Sequence, residues 1–168
     1  MLDSRTGYLL GLLDDQHYLS DIRTAAAGAL AARMLAPRQV ESATALGAGT
    51  QAHLQALALF HERPFHVLRI WARDPSKAAR LAERLELLLP GVVIEAEPDL
   101  QTAVRTADVL MTTTAAREPL VRVEWLHPGM HITAVGADDP TKAELEGAVL
   151  RAGCVFVDSV EAASDTRG

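Results

Sequence analysis

The stretch ATALGAGTQA, residues 43–52, places a G-x-G-x-x-A turn between a short apolar run and a long helical pattern. Dinucleotide-binding folds need this arrangement. In such folds Gly47 permits the tight turn, Gly49 lets the backbone approach a pyrophosphate, and the small Ala52 lets the helix lie close to the sheet. The free N–H groups and the dipole of the helix start then face the phosphate charge. Alone the motif is a weak signal, so the interpretation depends on the elements around it.

Around this turn the chain alternates regularly between strand and helix patterns. We predict strands at 43–46, 67–71, 92–95, 109–112, 131–135 and 155–157, and helices at 50–61, 74–89, 99–105 and 142–150. Such alternation implies right-handed crossovers and a parallel sheet covered on both faces. The prediction is an α/β fold with a doubly wound, Rossmann-type parallel sheet over residues 39–168.

Residues 1–38 do not belong to that alternation. Their pattern predicts a short strand at 8–13, followed by an alanine-rich helix at 22–35. We expect Ser20-Asp21 to open this helix and Pro37 to end it. The sequence therefore divides into an N-terminal unit, 1–38, and a nucleotide-binding unit, 39–168.

The composition excludes several classes of protein. The chain has 168 residues, 49% of them apolar, which suits a globular domain with a substantial core. A net charge of −6 and scattered arginines argue against a nucleic-acid surface. No apolar stretch is long enough for a membrane span and the N-terminus does not read as a signal peptide, so we expect a cytoplasmic protein. The single Cys154 is expected to be buried, and no histidine pair has the spacing of a metal site.

The end of the second strand carries another nucleotide signal. It lies about 20 residues beyond the glycines, where such folds place the adenosine ribose. A carboxylate there would bind both ribose hydroxyls, whereas this chain has Ala72 and then Arg73, which favours NADP over NAD. Two alternatives stay open. Asp74 could turn inward and bind the ribose of NAD, or Arg73 could be a solvated loop residue while Asp74 caps the next helix.

Polar residues also follow the fourth and fifth strands, at the sheet edge where open α/β folds bind ligands. Thr112-Thr113-Thr114 could contact the cofactor or only cap a turn. Gly136 would allow close approach of a ligand, and Asp138 could act as a general acid or base. An Asx turn at 138–140 is the alternative. His53 could approach a phosphate, but we expect a half-exposed helix histidine.

Several segments of the chain occur in this order in one known family. They are DIRTAAA at 21–27, LGAGTQA at 46–52, TTTAAREP at 112–119, PGMH at 128–131, AVGAD at 134–138, KAEL at 142–145 and VDS at 157–159. On these residues the chain resembles the ornithine cyclodeaminase and mu-crystallin family over nearly its whole length.

The resemblance implies an NAD- or NADP-dependent enzyme that acts on a small molecule, an amino acid or a cyclic imine. The implied chemistry is hydride transfer at a nitrogen-bearing carbon, as in cyclodeamination, amino-acid dehydrogenation or ketimine reduction. Asp138 falls on the family's acid/base carboxylate, and Arg23 matches an arginine that holds the substrate carboxylate or the pyrophosphate. The positions matching residues that line the cofactor are Thr24, Thr50, Gln51, Thr114, Ile132, Thr133, Ala134, Val135 and Lys142.

The chain departs from the family in length and in its first domain. Members are considerably longer, and their first portion supplies a lysine and most of a substrate and dimerisation domain. Residues 1–38 are interpreted as a remnant of that domain. A homodimer is expected for a full-length parent, and whether this chain itself dimerises stays open. Mu-crystallin-like members lack the carboxylate that this chain has at Asp138, so the chain is more similar to the cyclodeaminase and alanine dehydrogenase branch. The rival hypothesis is a truncated, non-catalytic dinucleotide-binding protein.

Overall fold

The computed structural model describes residues 1–137 and 141–160. Its strands and helices alternate as the sequence predicts from residue 42 onward. In chain order they are α1 (Tyr18–Leu35), β1 (Ser42–Leu46), α2 (Thr50–Glu62), β2 (Val67–Trp71), α3 (Pro75–Glu86), β3 (Val93–Ala96), α4 (Leu100–Arg105), β4 (Val109–Thr112), β5 (His131–Ala134) and α5 (Gly147–Ala152), with a 3-10 turn at Val123–Trp125.

The five strands form one parallel sheet in the order β3-β2-β1-β4-β5. The strand order therefore reverses direction between β1 and β4, which is the switch point where doubly wound sheets bind ligands. The register brings the last residue of β1, Leu46, beside both Trp71 and Thr112. The predicted Rossmann-type α/β fold is confirmed, and the carboxyl ends of β1, β2 and β4 meet at one edge.

Both faces of the sheet are buried at its central strands β1 and β4, as a parallel sheet requires, whereas the outer strands β3 and β5 are half-buried or exposed. On one face the strand residues pack against α1, α2 and α3 in a cluster that includes Ala45, Ala56 and Leu85. On the other face, Leu46 and Leu110 pack with residues of α4 and α5. Because successive strand side chains point to opposite faces, the small residues of β1 allow α2 to lie close on the sheet.

Helix α1 packs along α2 and begins at Tyr18, four residues before the predicted start. The predicted opening by Ser20-Asp21 is wrong, because the amide of Leu19 already donates to a carboxylate oxygen of Asp15 at 2.6 Å. Gly28 faces α2, where an added Cβ would lie 2.2 Å from Oε1 of Gln55. Ala32 of α1 joins the core beneath the sheet. The domain boundary at residue 38 stays a prediction.

Three other elements differ from the prediction. At 8–13 there is no strand, only one antiparallel bridge between Leu9 and Leu2. At 142–150 the helix begins only at Gly147, because the amide of Ala143 donates to Ala116 and Leu145 bridges to Val121. At 155–157 the apolar run pairs with no strand in the described chain, and its side chains are exposed. The neighbouring Cys154 is exposed as well, so its predicted burial is wrong.

Among the helices that the structure describes, none combines the length and the apolar character needed to cross a bilayer.

Candidate functional site

The glycine turn between β1 and α2 has two glycines with different structural requirements. Gly47 has φ +117°, and its amide donates to the carbonyl of Trp71 at 2.8 Å. A Cβ at this position would lie 2.5 Å from Oγ1 of Thr113, so the turn packs directly against the end of β4. Gly49 is extended, and a Cβ there would meet no atom within 4 Å. Gly47 therefore makes the turn, whereas the space over Gly49 is open to a ligand.

The first turn of α2 offers free hydrogen-bond donors beside this space. Gly49 caps the helix without a side-chain hydrogen bond, and the first turn holds no acidic residue. Within 1–137 and 141–160, the amides of Gly49, Thr50 and Gln51 donate to no acceptor. Uncapped amides and the positive end of a helix dipole suit a phosphate group. These residues therefore fit the pyrophosphate of a dinucleotide.

A cavity of about 410 Å³ opens between the start of α2 and one face of α3. Its polar lining is basic, because Lys77, Arg80 and Arg84 project from successive turns of α3. None of the three forms an ion pair with a carboxylate in the described residues, although Arg80 donates to Oγ of Ser76. The full lining is Ala48, Gly49, Thr50, His53, Lys77, Arg80, Leu81 and Arg84. The cavity thus extends the positive potential of the glycine turn, which favours an anionic ligand.

His53 lies in the same cavity wall and is 8% exposed, so the expected half-exposed position is wrong. His53 shares this cavity with residues of α3, a proximity that the sequence of α2 alone does not reveal. Its Nδ1 is buried without a hydrogen-bond partner in the described structure. Burial lowers the pKa of His53, and the charge of Arg84 lowers it further. The imidazole is therefore neutral at pH 7 and adds no charge to the site.

The lowered pKa values of His53 and His131 predict a loss of stability in weak acid. Burial lowers both values below the usual 6.5, so the unfolded chain binds more protons once the pH falls through that value. We expect the free energy of unfolding to decrease between about pH 7.5 and 5.5. Urea unfolding across this range measures the slope, and the variant His53→Gln/His131→Gln should flatten it. An equally steep slope in that variant would contradict the prediction.

At the end of β2, Arg73 and Asp74 have separate environments. The carboxylate of Asp74 caps α3, accepting from the amide of Ser76 at 3.0 Å and from its hydroxyl at 2.7 Å. The hydroxyl contact is the main cause of the lowered pKa of Asp74, followed by the amide contact. Arg73 is exposed and, in the part of the chain that the structure describes, has no carboxylate partner. The capping alternative for Asp74 is therefore confirmed, and Arg73 is free to meet a ligand.

Glu144 connects the ends of β4 and β5, a role that the sequence did not suggest. One carboxylate oxygen accepts from Oγ1 of Thr112 at 2.7 Å and from the amide of Gly136 at 2.9 Å. The other accepts from the amide and the hydroxyl of Thr114, at 2.5 and 2.7 Å. The space beside Gly136, expected to admit a ligand, is instead filled by Glu144 and the carbonyl of Thr114. The only local signal of this role in the sequence is an acidic residue between Ala143 and Leu145, in a segment that was predicted to be helical.

The structure brings most of the predicted cofactor residues to the same sheet edge. Residues 132–135 end β5 beside Thr112, and the half-buried Lys142 lies two residues before Glu144. The first turns of α1 and α2 meet there as well, because Nε2 of Gln51 donates to Asp21 and Nε2 of Gln55 donates to the carbonyl of Thr24.

The predicted substrate-binding residue Arg23 lies on α1, where its exposed side chain donates to Oγ of Ser20 at 3.1 Å. The predicted acid/base residue Asp138 lies outside the described residues, and so do the other positions of the alternative Asx turn, 139 and 140. Among 1–137 and 141–160 no cluster of histidine, cysteine or carboxylate side chains is placed to hold a metal ion.

Comparison with known proteins gives a consistent result. The model of the ornithine cyclodeaminase/mu-crystallin family matches residues 1–168. The chain is 35% identical to the ketimine reductase mu-crystallin of Mus musculus, over 100% of this chain and 52% of that protein. It is 36% identical to the alanine dehydrogenase of Archaeoglobus fulgidus, over 94% of this chain and 48% of that one.

A solved structure gives the same picture. The fold superposes with a TM-score of 0.88 on a Δ1-pyrroline-2-carboxylate reductase of Thermococcus litoralis in complex with NADH and L-proline. That protein is 31% identical, with 95% of this chain and 49% of the other covered. The chain spans about half the length of the curated relatives it matches.

Proposed function

The chain belongs to the ornithine cyclodeaminase/mu-crystallin family, and on that premise we propose that it is the dinucleotide-binding part of an enzyme acting on an amino acid or a cyclic imine. The reaction is hydride transfer between a nitrogen-bearing carbon and a nicotinamide cofactor. The observation that carries the proposal is the glycine turn, where Gly47 packs on β4 while Gly49 leaves open space beside the uncapped start of α2. The similar archaeal reductase, solved with NADH and L-proline, supports this chemistry.

In this proposal, different residues of the chain bind different parts of the cofactor. The amides of residues 49–51 bind the pyrophosphate, and the carboxyl ends of β4 and β5 receive the nicotinamide half. When bound, the nicotinamide supplies or accepts the hydride. Asp138 exchanges a proton with the substrate nitrogen or its leaving group, and Arg23 binds the substrate carboxylate or the pyrophosphate. A cytoplasmic homodimer, with residues 1–38 belonging to its substrate and dimerisation domain, is proposed for the protein expressed from its complete gene.

Calorimetric titration with NADPH and NADH, followed by an assay with a panel of amino acids and cyclic imines, tests the proposal. We expect saturable binding and substrate-dependent change of the nicotinamide absorbance when the complete gene product is used. The rival function, non-catalytic dinucleotide binding, is favoured by the half-length coverage of the relatives. Saturable binding without turnover on any substrate supports that rival, and failure to bind either dinucleotide overturns both functions.

Arg73 makes NADP the preferred cofactor in this proposal. Its guanidinium is exposed at the end of β2, while the nearest carboxylate in sequence, Asp74, is engaged in capping α3. Lys77 and Arg80 follow on the first turns of α3 and add positive charge beside it. A 2′-phosphate would therefore meet cations at this strand end instead of the carboxylate that binds the ribose of NAD.

Replacing Arg73 with alanine is expected to weaken NADPH binding by roughly tenfold to hundredfold, the loss of one or two charge-assisted hydrogen bonds. NADH binding should change by less than about twofold, because that cofactor lacks the 2′-phosphate. Calorimetry on both ligands measures the split. The matched control is Arg38→Ala, an exposed arginine that precedes β1 at the opposite end of the sheet. Equal losses for the two cofactors would contradict the assignment of NADP.

A further inference from the structure

We propose that Glu144 is a positioning residue that fixes the carboxyl ends of β4 and β5 for the nicotinamide half of the cofactor. The inference rests on the proposed function and adds a residue to it. Glu144 is 1% exposed, yet it belongs to no helix or strand of the sheet. Its carboxylate is held by the hydroxyl and amide groups that surround it.

The four donors to this carboxylate come from two different strand ends. Thr112 is the last residue of β4 and Thr114 lies two residues beyond it, while Gly136 lies two residues beyond the end of β5. Each oxygen of Glu144 accepts two of the four hydrogen bonds, at distances between 2.5 and 2.9 Å. Both oxygens of the carboxylate are thereby hydrogen-bonded. Because the donors come from both strand ends, Glu144 links the end of β4 to the end of β5.

Burial makes this connection rigid. A buried carboxylate is costly unless every oxygen is hydrogen-bonded, and no lysine or arginine forms an ion pair with Glu144 in the described residues. If either strand end moved outward, at least one of the four hydrogen bonds to the buried carboxylate would be lost. The site also has no spare volume, since a Cβ on Gly136 would lie 2.2 Å from the carbonyl of Thr114. Glu144 therefore reinforces the backbone hydrogen bonds from the amides of Val135 and Gly136 to the carbonyl of Thr112, which already join the two strand ends.

The backbone around Glu144 is held independently of its side chain. The carbonyl of Glu144 accepts from the amides of Leu120 and Val121, at 2.8 and 3.0 Å. The amide of the preceding Ala143 donates to Ala116 at 2.8 Å. Removing the charge from the side chain consequently leaves the segment attached to the fold. This separates the effect of the carboxylate on the strand ends from a general loss of structure.

Doubly wound sheets bind the two halves of a dinucleotide on opposite sides of the switch point. Here β1, β2 and β3 form the adenosine side, and β4 and β5 form the nicotinamide side. Glu144 touches only the second pair. A perturbation of Glu144 is thus expected to weaken binding of the whole dinucleotide while leaving the adenosine half unaffected.

The variant Glu144→Gln tests this role. Its amide group replaces one of the two acceptor oxygens with an NH2 group, whose N–H donors would then face the donors that this oxygen had accepted from. Calorimetry with the full chain would use NADPH, NADH and, as the adenosine-half probe, ADP, which lacks both the nicotinamide ring and its ribose. We expect at least tenfold weaker binding of the preferred dinucleotide and less than twofold change for ADP. Thr112→Val removes one donor at nearly constant volume and should give the same split with a smaller amplitude, which keeps the proposal testable if Glu144→Gln fails to fold.

Val104→Ala is the control, since it trims a buried residue of the cluster on the same face without touching either strand end. It should lower thermal stability and leave all three affinities unchanged. The positioning role is overturned if Glu144→Gln binds the dinucleotide as tightly as the wild type, or if its affinity for ADP falls by the same factor as its affinity for the dinucleotide. The proposed function fails separately, and the inference with it, if the wild-type chain binds neither dinucleotide.

Discussion

Replacing Asp138 with asparagine is expected to lower kcat by roughly hundredfold to ten-thousandfold in the enzyme expressed from its complete gene. The affinity for the dinucleotide should stay within about twofold, because the expected role of this side chain is proton exchange with the substrate. An amide of the same size cannot take up or release that proton. The prediction rests on the resemblance of the AVGAD segment, 134–138, and on the position of β5 next to β4 in the parallel sheet.

Asp139→Asn is the matched control, as it removes an adjacent carboxylate that the resemblance does not assign to catalysis. Its kcat should remain near that of the wild type. Steady-state kinetics over pH distinguish a lost acid/base group from a distorted site, because the limb of the kcat profile that belongs to Asp138 should disappear. Unchanged turnover in Asp138→Asn would remove this residue from the mechanism, and an equal loss in Asp139→Asn would show that the effect is not specific to the carboxylate of Asp138.

The nucleotide-binding half of the fold could be predicted because its signals are local. The strands Val67–Trp71 and Val109–Thr112 were predicted to the residue, since each is an apolar run with clear boundaries. Helix α4 lies within the predicted 99–105, where Asp99 caps it by accepting from the amide of Thr102 at 2.7 Å. The glycine turn lies where its spacing indicates. Each of these features depends on residues within a few positions of one another.

The errors arose where a residue's environment comes from a distant part of the chain. His53 is 8% exposed and lines one cavity with Arg84 of α3, which lies more than thirty positions later. The segment before α5 is extended because Leu145 pairs with Val121. Glu144 is thirty positions from Thr114, and nothing in either local pattern indicates that a carboxylate joins them. The run at 155–157 is apolar, yet in the described chain no strand lies beside it. Periodicity predicts an element but not its partner.

Gly49→Val should separate binding from folding at the glycine turn. Gly49 has φ −95° and open space around it, so valine fits the backbone and costs only a weaker helix cap, about 1 kcal/mol. The isopropyl group fills the volume that the pyrophosphate needs and shields the amides behind it. We expect a roughly hundredfold loss of dinucleotide affinity, equivalent to about one or two charge-assisted hydrogen bonds, with a fall in Tm of only a few degrees.

Gly47→Ala should mainly lower stability, in contrast to Gly49→Val, because both the backbone conformation and the neighbouring Thr113 exclude a side chain at this position. Its φ of +117° disfavours any side chain, and the new Cβ would lie 2.5 Å from Oγ1 and 3.0 Å from the carbonyl of Thr113. We expect a large loss of stability, seen as a much lower Tm in thermal denaturation. Gly153→Val, at an extended glycine with open space, is the control and should alter neither property. If Gly49→Val bound NADPH and NADH normally, the pyrophosphate would not lie on this turn.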